Sequence, residues 1–154
     1  MGKQRTWTIR LGKFEENKEI ARISTSHKYT AHFRTIGYCN RQRYEKGWIY
    51  VAESRSGRIV GFACIRDKKR IPECELDIIC VLPEFRSAGV GERLIKVLAG
   101  ERPPHIERVV LNVMKDNPEA VRFYERLGFT HAGDAMERAA HRMSFDLHRY
   151  VGLI

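Results

Sequence analysis

The chain has 154 residues, 43% hydrophobic and 31% charged, a globular balance richer in charge than the roughly 25% of an average domain; we expect one mixed α/β domain over 1–154. Lys and Arg number 28 against 19 Asp and Glu, and the resulting net charge of +9 favours acidic partners such as nucleic acid or a phosphorylated cofactor. No apolar run approaches the ~20 residues of a membrane-spanning helix and Met1 to Arg5 lacks a signal-peptide core, so a soluble cytoplasmic protein with no membrane partner is expected.

Trp7 to Leu11 alternates apolar with polar residues and reads as a half-buried first strand. Helical spacing follows around Glu15 to Ile23 and Tyr29 to Tyr44. This basic segment, 22–46, carries Arg22, Lys28, Arg34, Arg41, Arg43 and Lys46 against Glu45, with Tyr29, Phe33, Tyr38 and Tyr44 interleaved. It is either a solvated helix face with aromatic anchors or an anion-binding surface. Trp48 to Ala52 and Ile59 to Ile65 are apolar strands joined by a turn at Ser54 to Gly57, and a polar turn follows at Asp67 to Arg70.

From Glu75 to Leu82 the chain is nearly all apolar after Asp77, which suits a central strand buried on both faces and stopped by Pro83. The next helix puts Val90, Leu94, Ile95 and Leu98 on one face, with Gly100 as its terminator. Val109 to Val113 is another strand. Asn117 and Pro118 form a helix start, Gly128 a helix end, Phe129 opens a short strand, and His141 to Leu147 is the last. The order predicts an α/β fold on one mixed sheet, six to seven strands with four helices on both faces. The scattered Cys39, Cys64, Cys74 and Cys80 fit neither a metal knuckle nor a disulfide framework, so they read as reduced thiols and no metal is expected.

The chemistry concentrates at Arg86-Ser87-Ala88-Gly89-Val90-Gly91. A glycine turn from a buried strand into a helix offers unpaired N–H groups and the positive end of a helix dipole, so it attracts phosphate. A dinucleotide fingerprint requires a third glycine where Leu94 stands, and a nucleotide-triphosphate loop requires Gly-Lys-Ser/Thr; both fail. The glycines alone could still be turn and packing residues.

Val81 to Gly91, followed by Asn117 and then Phe123 to Phe129, resembles the GNAT superfamily of N-acetyltransferases in two blocks at the usual spacing. The resemblance implies a GNAT-like fold and acetyl-CoA as cosubstrate. It implies that backbone amides of Ser87, Ala88, Gly89, Val90, Gly91 and Glu92 hold the pyrophosphate, with Arg86 at the mouth. It further implies that the strand edge at Ile79, Cys80 and Val81 bonds the pantetheine arm, where one amide polarises the thioester carbonyl, an oxyanion contribution of about 3 kcal/mol. Asn117 matches the family's cofactor-contacting asparagine, although a plain helix cap explains it equally. Tyr124 matches the tyrosine that lies by the sulfur and protonates the departing thiolate.

A lysine-like acceptor, with a pKa of about 10.4, needs a base at neutral pH. Glu75 has a spacing to Arg86 similar to that of the glutamate in histone acetyltransferases, and Asp77 points to the same face, so the pair could share or relay a proton. Asn112 stands where some relatives carry a glutamate. An α-amine could be served by water alone. The expected activity is direct acetyl transfer to a primary amine in a ternary complex. The basic segment 22–46 points to a nucleic-acid-linked acceptor, such as aminoacyl-tRNA or a modified DNA base, beside a metabolite amine. A homodimer is compatible with the chain. The alternative is an inactive nucleic-acid-binding module on the same scaffold.

Overall fold

The computed structural model of the chain describes residues 7–30, 41–68, 70–101 and 104–147. Among them are seven strands, β1 (Thr8–Leu11), β2 (Ile49–Glu53), β3 (Ile59–Asp67), β4 (Glu73–Val81), β5 (Arg108–Met114), β6 (Thr130–Ala135) and β7 (Ala140–Asp146). Four α-helices accompany them, α1 (Asn17–Ser24), α2 (Arg41–Glu45), α3 (Val90–Glu101) and α4 (Pro118–Leu127). The strands form one mixed sheet in the order β1-β2-β3-β4-β5-β7-β6, the α/β architecture that the sequence order predicts.

The chain divides into two compact units, Met1–Ile65 with Ile78–Leu98, and Arg66–Asp77 with Ala99–Ile154. In the first, β1 pairs antiparallel with β2 and β2 with β3. The core packs Ile20 and Ile23 of α1 with Tyr44, Ile49, Val51, Ile59, Phe62, Cys64, Ile78 and Cys80. Even-numbered residues at the end of β4 therefore face this core, and Ile79 and Val81 face the other way, half-buried. Gly61 on β3 lets β4 come close: a Cβ there would stand 3.0 Å from the Cys80 carbonyl oxygen.

Polar side chains tie the ends of this unit. Arg10 Nε donates to Glu53 at 2.8 Å, and its Nη1 and Nη2 donate to the two carboxylate oxygens of Glu16 at 2.9 and 2.6 Å. The Arg10 guanidinium, with a further bond from the Lys13 backbone N–H, holds the Glu16 carboxyl below the usual range against the opposing effect of burial.

In the second unit, β4 and β5 run parallel, with Glu73 opposite Arg108, Cys74 opposite Val109 and Glu75 opposite Val110. β5 pairs antiparallel with β7 from Arg108↔Asp146 to Met114↔Ala140, and β7 pairs with β6. Val109, Leu111, Val113, Met143, Phe145 and Leu147 are buried. Phe129 bridges Tyr124 and Phe145 through ring contacts at 5.5 and 5.3 Å. The β6–β7 turn holds Met136, Glu137 and Arg138 at φ 51, 55 and 75°, three consecutive left-handed residues with no glycine among them.

α4 begins and ends as its sequence predicts. The Asn117 side chain accepts from the Ala120 N–H at 3.4 Å, Pro118 occupies the first turn, and Gly128 closes the helix at φ 105°. Two departures concern boundaries. Gly100 lies inside α3, which runs on to Glu101, so the helix absorbs the glycine's modest propensity cost. Phe129 precedes β6, which starts at Thr130. Of the helix expected over Tyr29 to Tyr44, the described part is turn through Thr30 and α2 from Arg41; the remainder lies outside the described residues.

Candidate active site

In the first unit, β4 ends at Val81, Leu82 donates its N–H to the Val60 carbonyl at 2.9 Å, and Pro83–Phe85 make one 3-10 turn. The next residues are held open by backbone conformation. Ser87 has φ 66° and Gly89 φ 88°. The Arg93 N–H donates to the Gly89 carbonyl at 3.0 Å, which makes Gly89 the residue that caps α3. The amides of Val90, Gly91 and Glu92, in the first turn of α3, therefore have no carbonyl partner within the helix and carry the positive end of its dipole. A Cβ at Gly89 would meet nothing within 4 Å. The glycine thus serves a left-handed conformation beside open space, the arrangement that an anion cradle needs and a packing glycine does not.

Arg86, exposed at the mouth of this turn, donates through Nε to the Val81 carbonyl at 2.9 Å. That bond fixes the loop to the end of β4. Upstream, the Cys80 thiol is enclosed: Thr30 Oγ1 lies at 3.4 Å, Ser26 Oγ and the Ile23 carbonyl at 3.5 Å. Cys80 can then offer a ligand its backbone, and its sulfur belongs to the core.

In the second unit, Glu75 and Asp77 lie on one face of β4, and each is ion-paired. The Arg142 guanidinium holds the Glu75 carboxylate by two bonds, Nη1 to Oε2 at 2.6 Å and Nη2 to Oε1 at 3.1 Å, while Lys68 Nζ stands 3.3 Å from Oε1. Arg142 also donates to Asn112 Oδ1 at 2.9 Å. Arg66 Nε lies 3.5 Å from Asp77. Two hydrogen bonds and an ammonium thus occupy a Glu75 carboxylate with about four lone-pair sites, and among the described residues the site left over is on Oε2. Sequence reasoning missed Arg142 altogether, because β7 reaches β5 only through long-range pairing.

Tyr124 is 8% exposed, and among the described residues its hydroxyl has no hydrogen-bond partner. Burial pushes this phenol above its usual value, so it is protonated at neutral pH. Asn117 caps the start of α4, the helix that carries Tyr124. Among the described residues no group of three His, Cys, Asp or Glu could hold a metal. Of the basic segment, Phe33, Arg34 and Tyr38 lie outside the described residues.

The sequence profile of the Acetyltransferase (GNAT) family matches residues 14–129. The chain belongs to that family. It is 44% identical over 130 residues to the 5-NmdU N-acetyltransferase of Pseudomonas phage PaMx11, covering 83% of this chain and 90% of that protein. A mycothiol acetyltransferase of Streptomyces griseus is 38% identical over 95 residues, 58% of this chain and 30% of that longer protein. Among solved structures, Ard1 from Thermoplasma volcanium superposes with a TM-score of 0.77 at 23% identity, covering 91% of this chain and 97% of that one, a likeness of fold. The chain is accordingly an acetyltransferase of the GNAT family. No helix among the described residues is long and apolar enough to cross a membrane.

Proposed function

We propose that residues 1–154 act as one acetyl-CoA-dependent N-acetyltransferase domain whose acceptor is the primary amine of a modified deoxyuridine of the 5-NmdU kind. The observation that carries the acceptor is the 44% identity to the phage 5-NmdU N-acetyltransferase over nearly its whole length. The open left-handed turn at Ser87 to Gly89 supports the cosubstrate, because it leads into the first-turn amides of α3, which have no carbonyl partner within the helix, and into the positive end of its dipole, as a pyrophosphate requires. When bound, acetyl-CoA supplies the activated acyl group.

The residues take the following roles. Amides of Ser87, Gly89, Val90, Gly91 and Glu92 hold the pyrophosphate, the expected Ala88 N–H being engaged by the Phe85 carbonyl at 3.4 Å, and Arg86 braces the loop. Backbone groups of Ile79, Cys80 and Val81 hold the pantetheine arm and stabilise the oxyanion. The acceptor nitrogen attacks the thioester carbonyl, a C–N bond forms and the C–S bond breaks. Tyr124 gives its hydroxyl proton to the departing thiolate and is reprotonated from solvent; its raised affinity for that proton keeps it in the donating form. The proton lost by the amine goes to the free lone pair of Glu75 Oε2 or to a water on it, with Asp77 alongside. Asn117 orients the start of α4.

The test is transfer of labelled acetyl from acetyl-CoA to deoxyuridine, thymidine and 5-NmdU, each free and in an oligonucleotide. Label on 5-NmdU alone is the expected result. Label on none of them, with acetyl-CoA binding intact, would overturn the acceptor.

A further inference from the structure

Some cations of the molecule are held by carboxylates and others by aromatic rings. Arg66, Lys68, Arg108 and Arg142 in the second unit each lie within 4.0 Å of a carboxylate. At α2 and just after it, in the first unit, Arg41 and Lys46 rest on aromatic rings instead. The Arg41 guanidinium lies 4.2 Å from the Phe14 ring centroid, and Trp48 carries Lys46 Nζ at 4.5 Å and the Arg43 guanidinium at 5.8 Å. Every Asp and Glu of the chain falls among the described residues, and neither Arg41 nor Lys46 pairs with any of them.

The rings themselves are anchored. Phe14 makes an edge contact with buried Tyr44 at 5.7 Å, and the backbone that carries Trp48 is tied to α2 by its main-chain N–H, which donates to the Arg43 carbonyl at 3.0 Å. Arg41 and Lys46 are exposed, while Phe14, Arg43 and Trp48 are half-buried. A ring under a cation restricts its rotamers and leaves its full charge and its N–H donors facing solvent. A carboxylate would cancel that charge. Exposed cations whose charge no carboxylate cancels are what a surface needs to track a nucleic-acid backbone, and the chain's +9 charge adds long-range attraction.

We propose that Arg41 and Lys46, braced on Phe14 and Trp48, form a docking surface for the phosphodiester backbone of a DNA strand. The inference rests on the acceptor reading above only for its choice of DNA. The surface binds the strand through its phosphates, independently of which base is modified.

The test uses the full chain and a fluorescein-labelled, unmodified single-stranded oligonucleotide, with anisotropy read between about 50 and about 200 mM salt. The wild type binds, with affinity falling as salt rises. The double variant Arg41→Gln/Lys46→Gln, with an unchanged thermal melt, loses at least about tenfold in affinity, and its log–log salt slope becomes shallower by about 1.4, two single-strand phosphate contacts. A second double variant, Phe14→Leu/Trp48→Leu, loses affinity while keeping every charge. Acetylation of the free 5-NmdU nucleoside is unchanged in the glutamine variant. Equal affinity and slope in wild type and glutamine variant would overturn the surface, as would tight binding of an acidic protein with no binding of DNA. Absence of turnover on 5-NmdU together with salt-sensitive DNA binding would remove the acceptor and leave the docking surface standing.

Discussion

Arg142 on β7 grips Glu75 on β4 with both arms of its guanidinium, across 67 positions of sequence and through the intervening β5. Glu75 retains 9% of its side-chain exposure and Arg142 24%, so this is a largely buried pair. Removing the cation leaves the carboxylate under cover with Lys68 as its one cationic neighbour among the described residues. We expect Arg142→Ala to destabilise the fold by about 2 to 3 kcal/mol, and Arg142→Ala/Glu75→Ala to cost less than the sum of the singles. Urea unfolding of the four proteins measures both; additive costs would mean that the pair contributes nothing.

Tyr124 separates chemistry from packing. Tyr124→Phe keeps the ring contacts to Phe123 and Phe129 and removes a hydroxyl that has no partner among the described residues, so stability at neutral pH should change by less than about 0.5 kcal/mol. Acetyl-CoA affinity is retained and kcat falls by about 10² or more. Equal kcat in both proteins would return the residue to the core.

The same phenol predicts an alkaline limit. Its folded pKa lies above the unfolded value of about 10, because burial disfavours the phenolate. The unfolded chain then releases a proton that the folded one keeps, and stability, fully present below pH ~10, declines as pH rises beyond it. Denaturation midpoints between pH 9 and ~11.5 should fall less steeply for Tyr124→Phe than for the wild type.

Glu16 sets an acid limit with the opposite sign. Its folded pKa is lowered, first by the hydrogen bond from Arg10. The stability it contributes is present above the unfolded value of about 4.3 and is lost as pH falls through the folded one. Arg10→Met should flatten the acid side of the stability curve below pH ~5. An unaltered curve would assign the acid loss to other carboxylates.

Two glycines with positive φ should respond differently. At Gly128 a Cβ would come within 2.8 Å of Phe145, so Gly128→Ala adds a clash to the φ of 105° and should cost about 2 kcal/mol or more in thermal unfolding. At Gly89 nothing lies within 4 Å. Gly89→Glu should cost only the backbone strain, of order 1 kcal/mol, yet abolish acetyl-CoA binding in calorimetry by placing a carboxylate on the anion cradle.

Local signals were legible in the sequence. Asn117-Pro118 and Gly128 bound α4 because capping and left-handed closure are decided within a few residues, and Pro83 and Gly89 mark the turn into α3 for the same reason. The insertion of β7 between β5 and β6 was not legible, since ladder partners such as Asn112 and Arg142 are chosen by tertiary pairing. With that pairing went the partner of Glu75. The strand also begins at Glu73, two residues earlier than its apolar run, because Arg108 and Lys68 neutralise the polar start from neighbouring segments.

The enclosure of sulfur in this fold has a practical side. Cys64, Cys74 and Cys80 are buried thiols outside any disulfide, the last ringed by two hydroxyls and a carbonyl. A chromogenic disulfide reagent reads exposed thiolates. Added to a turnover mixture it should report the liberated coenzyme mole for mole while these three side chains stay silent, so the one protein thiol left to subtract in a continuous assay is that of Cys39, outside the described residues.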